Sequence, residues 1–596
     1  MILSKIFRSF KNLSNNRKSS VLQIGSGKLF TRDVEYHNKL KGVIYSNLHL
    51  MAEDHIETDT GSIEGTSTFH NSNVLIFTYT ELIEALPDSD GPGFMASHGI
   101  ASFISDFSAI LSFALNCIAS PSYSLIERLI SDEMGTSTHT VPNKVVNQTF
   151  DKVIYCQESH KQHLINFTRQ LHGLNRKTFL TVMNAIRTYV TGIHRIADNF
   201  ELAYTLLVAS IESLAQEFDG HQATWNDYEE KKRRIIDEAL TGAEEALAER
   251  VRNAILGIEH VSLGKRFQAF AINHIKPSFF REESDAVTHP ITRFDLPTAL
   301  SNAYLARSKY VHTSQKLPKP LDRDSGYSDT CRIDNKTWLT IQGLARLARH
   351  IITEFIMRQQ TITSEPYNYN LERSNIMTVS LAPQYWIHII DFSRGSGVKR
   401  FEGFLNQLAI LWENDSNKPL SDLSHLLTEL QTNFDRINIA DKLAFLCLFI
   451  IYNRLVGERD RIENCLEFIG RYENLLIQPS SAVLVTRNIL EMEIEWSIED
   501  HHTCLMKYFK ERDHKFSFRC PQLLESGMLL QLAERYRANN DLDKAKELVS
   551  LAVESYPEHQ ALRKFESEFI SIQQPINCYS ILLPPLNETP TEPTSE

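Results

Sequence analysis

The sequence lacks paired cysteine motifs, an excess of positive charge and any long apolar run, and each absence excludes a class of function. Its eight cysteines, at 117, 156, 331, 447, 465, 504, 520 and 578, form no C-x-x-C pair and have no histidines at zinc-finger spacing. With no secretion signal either, they predict reduced, mostly buried thiols in a cytoplasmic protein, and neither metal nor cofactor is expected. There are 62 Lys and Arg against 74 Asp and Glu, a formal net charge of −12. A nucleic-acid coat protein is ordinarily basic overall, so any RNA contact must be a local basic site on an acidic body. No stretch supplies the roughly 20 apolar residues that a membrane-spanning helix needs. The run 101–120 carries Asp106 and several serines, and 443–452 is too short, so both read as buried helices and no stable membrane span is expected. A Walker phosphate loop, G-x-G-x-x-G, G-x-S-x-G and H-E-x-x-H are also missing. Their absence removes most nucleotide hydrolases, dehydrogenases, serine esterases and zinc proteases.

What is present is mostly helical text. A chain of 596 residues exceeds what one core usually organises, and 42 % apolar with 23 % charged residues is ordinary globular composition, so three or four domains are expected. Residues 1–20 form a basic amphipathic arm. Ile2, Leu3, Ile6, Phe7, Phe10 and Leu13 recur at helical spacing, and Lys5, Arg8, Lys11, Arg17 and Lys18 come without one acid. That pattern suits a membrane-surface helix, a transit peptide or a short frayed helix. Residues 21–175 read as an α+β domain of unknown type, with short strand-like runs at 43–50 and 73–79 and a turn-rich break at 87–93. From 176 to 360, segments 178–195, 199–218, 234–257, 297–312 and 336–357 each carry one apolar stripe, which predicts a helical bundle. Residues 375–575 are helical again. There Ala533, Tyr536, Ala545, Val549, Ala552 and Pro557 fall at the offsets of a tetratricopeptide unit, and 440–475 reads as a degenerate neighbour. Repeats need partners to bury their faces, so a helical-hairpin array is expected, followed by a disordered acidic tail at 584–596. The predicted fold is therefore mainly α: an N-terminal α+β domain, a central helical bundle and a C-terminal helical-hairpin array.

Chemistry concentrates in 296–313, LPTALSNAYLARSKYVHT, which holds Arg307 and His312 as an R-x4-H pair. Alone the pair is weak. With LLVASIESLA at 206–215 before it and LTIQGLARLARHIITEFI at 339–356 after it, the order resembles the Apea-like branch of the HEPN superfamily, over roughly a third of the chain. The resemblance implies a bundle that dimerises through facing R-x4-H segments, and a metal-independent endoribonuclease acting on RNA, used in antiphage defence or stress. His312 matches the motif histidine and Arg307 the motif arginine. Ser308 stands where better-known nucleases of the superfamily carry Asn, Asp or His. The side chains suit this chemistry. Histidine can take or give a proton near neutrality, and arginine offers a permanently charged planar fork for phosphate oxygens. The ribose 2′-hydroxyl is an internal nucleophile, so no metal is required.

On a straight helix, five residues at about 100° each set Arg307 and His312 some 140° apart. They converge only if the helix ends near 310–312, or if two protomers contribute one residue each. Glu212, among apolar neighbours, needs a partner such as Arg307, and reads as a structural ion pair. Ser308 and Lys309 are candidate RNA contacts, as is the basic run Lys231, Lys232, Arg233 and Arg234. Two other functions fit the same text: a non-catalytic RNA- or nucleotide-binding bundle, and a dimerising scaffold that meets a protein partner through its C-terminal array.

Overall fold

A computed structural model describes residues 20–583 except 52–53, 70–71, 86–96, 132–140, 219–223, 226–227, 229, 259–262, 323–325, 370–371, 373–380, 415–419 and 570–574. Residues 1–19 of the basic arm, the turn-rich break at 87–93 and the tail at 584–596 lie outside the described residues. The chain is mainly helical, 60 % helix against 11 % strand, with its sheet at the N-terminal end and a helical array at the C-terminal end. It divides into two compact units, Met1–Thr378 and Val379–Glu596. No helix among the described residues is long and apolar enough to cross a membrane.

The first unit opens on strands β1 (Val34–Ser46), β2 (Leu48–His49), β3 (His55–Thr58), β4 (Gly61–Phe69) and β5 (Ser72–Glu84). A five-stranded antiparallel sheet forms in the order β3-β4-β5-β1-β6, with β6 at Ala119–Ser120, while β2 pairs in parallel with β7 (Ile154–Tyr155). Alternation along β5 turns Leu75, Phe77 and Tyr79 inward. Helix α1 (Ile100–Leu115) covers that face, with Tyr79 stacked on Phe103 at 4.2 Å and Phe77 on Phe107 at 4.6 Å. Its run 106–115 is entirely buried, because α2 (Glu158–Gly173) and α3 (Arg176–Arg195) cover the opposite side. There Phe113 meets Phe167 at 5.7 Å and Tyr189 at 5.2 Å. This double burial explains an apolar stretch that is too polar for a bilayer. Asp106, the acid within it, bonds Ser20 Oγ at 2.6 Å and pairs with Arg187.

The bundle continues with α4 (Phe200–Phe218), α5 (Glu230–Ala239), α6 (Glu245–Ile258), α7 (Leu263–Asn273) and α8 (Leu296–Thr313). The single long helix expected over 234–257 is two helices, broken where Gly242 turns with φ +90°. Residues 336–339, expected as helix, are instead strand β9 (Lys336–Leu339), paired with β8 (Thr330–Ile333). Asp334 and Asn335, at φ 48° and 60°, make the two-residue turn that closes this hairpin. Helix α9 (Ile341–Arg358) follows, its N-terminus capped by the Thr340 hydroxyl, which accepts the Gly343 N–H. Arg349 of α9 donates to the Phe113 and Ala114 carbonyls at 3.0 and 2.9 Å, satisfying the end of α1. One hydrophobic core runs from Val21 to Ile356, across the boundary drawn at residue 175.

The second unit is helical: α10 (Ser396–Asn414), α11 (Ile439–Leu455), α12 (Ser481–Ile489), α13 (Ile498–Glu511), α14 (Gln522–Ala538) and α15 (Leu542–Ser555). Buried Asp441 on α11 accepts the N–H groups of Gly395, Gly397 and Val398, fixing the start of α10. Helices α14 and α15 form the hairpin whose motif the sequence carries. Ala533, Ala545, Val549 and Ala552 are fully buried at their contact, and Asp541 caps α15. The neighbour expected at 440–475 is only half formed. Its first half is α11, but after it come short turns and one brief helix, Cys465–Arg471, entered through left-handed Asn464. All eight cysteines are free; 117, 447 and 520 are buried and the other five are half-buried rather than mostly buried.

Candidate active site

Helix α8 begins at Leu296 with Pro297 in its first turn, where the missing N–H costs nothing, and stays helical to Thr313. Ser314, left-handed at φ 52°, ends it by donating its N–H to the Tyr310 carbonyl. Small buried residues, Ala299, Ala303 and Ala306, let α8 approach its neighbours, and Asn302 donates to the Thr337 carbonyl of β9 at 2.9 Å.

Arg307 lies at the rim of this core. Its Nη2 pairs with Glu212 Oε2 of α4 at 2.7 Å, with the two side chains 19 % and 5 % exposed. Tyr304, one turn earlier, donates its hydroxyl to Glu212 Oε1 at 3.4 Å, and Gln216 donates its amide to the same oxygen at 3.2 Å. The guanidinium carbon sits 5.8 Å from the Tyr304 ring centre. Burial lifts the Glu212 carboxyl above its ordinary range, and the Arg307 charge opposes that shift. Burial and then the Glu212 charge push the Tyr304 phenol up to about 12, which keeps it a hydrogen-bond donor. Arg307 Nε is buried and has no hydrogen-bond partner among the described residues.

His312 is exposed near the end of α8. Because the helix remains regular past it, the unwinding that would bring His312 to Arg307 within one chain does not occur, and the two lie about 140° apart around the axis. Leu305, Lys309 and His312 instead share one exposed side of α8, with Leu305 47 % exposed. Ser308 is half-buried. The basic run sits on α5, a separate helix: Lys232 lies 5.9 Å from the Tyr228 ring centre, Arg233 is half-buried and Arg234 exposed. The Lys231 side chain lies outside the described residues.

Sequence reasoning named Glu212 as a partner for Arg307 but missed Tyr304 and Gln216, which bond the same carboxylate. Tyr304 with Arg307, and Glu212 with Gln216, stand at three- and four-residue spacing, which is the signal that could have found them. It also missed α7, where Gly264 lies against the Tyr304 ring (a Cβ there would be 3.1 Å away) and Arg266 donates to the Gln216 carbonyl at 3.4 Å. Among the described residues, no group of three or more His, Cys, Asp or Glu side chains could hold a metal ion. No family model, curated protein or solved structure matches the chain.

Proposed function

We propose that the chain is a metal-independent endoribonuclease of HEPN type, acting as a homodimer whose cleft combines Arg307 of one copy with His312 of the other. One arrangement carries the reading. The segments 206–215, 304–313 and 339–356, on which the family resemblance rests, lie on α4, on α8, and on α9 with the end of β9, around a single core, with Arg307 fixed at its rim and His312 exposed. A regular helix separates the two groups within a chain, so the reading needs a second copy to bring its exposed His312 to the rim where Arg307 sits. In that cleft His312 takes the 2′-hydroxyl proton as that oxygen attacks phosphorus, Arg307 stabilises the charge growing there, and the P–O5′ bond breaks as His312 returns the proton to the leaving oxygen, yielding a 2′,3′-cyclic phosphate and a 5′-hydroxyl. A cytoplasmic role in defence or stress follows from the resemblance.

The test uses two inactive variants together. Arg307→Ala and His312→Ala alone leave RNA uncut with or without EDTA. Co-expressed in equal amounts they restore about a quarter of wild-type cutting, because half the dimers are mixed and each mixed dimer keeps one complete cleft. Cutting by His312→Ala alone, or a requirement for magnesium, removes this reading. The Glu212–Arg307 pair favours a second one, since a guanidinium already neutralised by a buried carboxylate suits a bundle that binds RNA without cleaving it.

A further inference from the structure

Beside the Arg307–Glu212 pair, the end of α4 and one side of α7 enclose a cavity of about 360 Å³. Phe218 and Phe270 supply its aromatic walls, and Lys265 and Arg266 supply charge. Phe270 is buried, while Phe218 is only half-buried, its ring braced against Phe355 at 5.0 Å. Phe270 in turn lies 5.9 Å from Phe355 and 4.2 Å from His274, so the platform is preformed. Lys265 is exposed. Among the described residues, the neighbouring acids Glu354 and Glu217 are engaged elsewhere, Glu354 by Lys276 at 2.7 Å and Arg358 at 3.6 Å, and Glu217 by Lys177 at 3.4 Å. Among the described residues, the lining carries two cations and no acid, on a body whose net charge is −12. Continuity with the candidate active site runs through hydrogen bonds, from Arg266 to the Gln216 carbonyl and from the Gln216 amide to Glu212, which holds Arg307.

We infer that this cavity is a subsite for single-stranded RNA, in which one unstacked base lies on Phe218 while Lys265 and Arg266 hold the adjoining phosphates. The inference rests on the nuclease reading for its placement beside the scissile unit, but its own signature is binding. An aromatic face with flanking cations recognises any base that can leave its stack, and a base held in a duplex cannot enter. The subsite is therefore sequence-tolerant and selects against double-stranded RNA.

The experiment measures fluorescence anisotropy of a labelled 2′-O-methyl oligoribonucleotide, which cannot be cleaved, against the full-length protein. Phe218→Leu weakens binding about ten-fold, the loss expected when a stacking platform is removed. Lys265→Ala with Arg266→Ala lowers the slope of log affinity against log salt by about 1. Lys265→Ala alone, at an exposed position that leaves the fold unchanged, also weakens binding and guards against a misfolded double variant. Unchanged affinity in the Phe218 and Lys265 variants, or equal competition by a duplex of the same sequence, overturns the inference. This binding pattern in a protein that cuts no RNA upholds the subsite and removes the nuclease reading alone.

Discussion

Replacing Arg307 by alanine removes more than a candidate phosphate ligand, because it strands the Glu212 carboxylate in the bundle core. Glu212 is 4 % exposed, and its ion pair with Arg307 is 2.7 Å long. Breaking a buried pair from one side costs about 3–5 kcal/mol. Arg307 is itself 19 % exposed, and Tyr304 and Gln216 still reach the carboxylate, which places this pair at the low end, about 3 kcal/mol. For a cooperative unit of this size that lowers the melting midpoint by about 4 °C. The loss depends on pH, and its sign follows from the raised Glu212 carboxyl. A carboxyl that binds its proton more tightly folded than unfolded favours the folded state at low pH, and that advantage is lost as pH rises through its folded value. Arg307→Ala is therefore nearly as stable as wild type near pH 4 and shows its full deficit at neutrality. Adding Glu212→Gln, which removes the stranded charge, recovers most of the loss. Thermal melts of the three proteins across this pH range make the check. An Arg307→Ala melt that matches wild type at neutral pH refutes the account of a buried, paired carboxylate.

His312→Ala, at an exposed position, shifts the same melt by less than about 1 °C, so any loss of RNA cutting in that variant is chemical rather than structural. Gly343→Ala destabilises the first unit by about 3 kcal/mol in denaturant titration, because the added Cβ would stand 2.2 Å from the Asp329 carbonyl oxygen. Asp441→Ala costs the second unit about 3 kcal/mol, since three backbone N–H groups at the start of α10 lose their carboxylate, and hydrogen exchange at Gly397 and Val398 speeds accordingly. Asn335→Val costs about 1–2 kcal/mol by forcing a β-branched residue to the left-handed turn of the β8–β9 hairpin.

Much of the helical layout could be read directly, because amphipathic spacing survives wherever one face is buried and one is wet. The stripes at 178–195 and 199–218 become α3 and α4 within a residue or two. Periodicity failed where local chemistry outweighs it. Gly242 interrupts an otherwise continuous Ala- and Glu-rich stretch, and the Asp334–Asn335 turn makes strand out of residues that continue a helical pattern on paper. Glu212 and Arg307 could be named as partners because a carboxylate among apolar neighbours demands one. Tyr304 and Gln216 carried only their three- and four-residue spacing to Arg307 and Glu212, while the α7 cations were not legible, since which helix lies beside which is a tertiary fact. The text turns almost continuously helical at residue 175, yet one hydrophobic core crosses that point, which is again a tertiary fact.

Helix α1 belongs to two layers at once, and that limits how the chain can be cut or recombined. A bundle excised at residue 176 would leave the Tyr189 ring without Phe113 and the Arg349 guanidinium without its two carbonyls, while a freed sheet would keep a helix with one bare flank. Sheet and bundle are therefore not interchangeable cassettes, because each finishes the burial of the other.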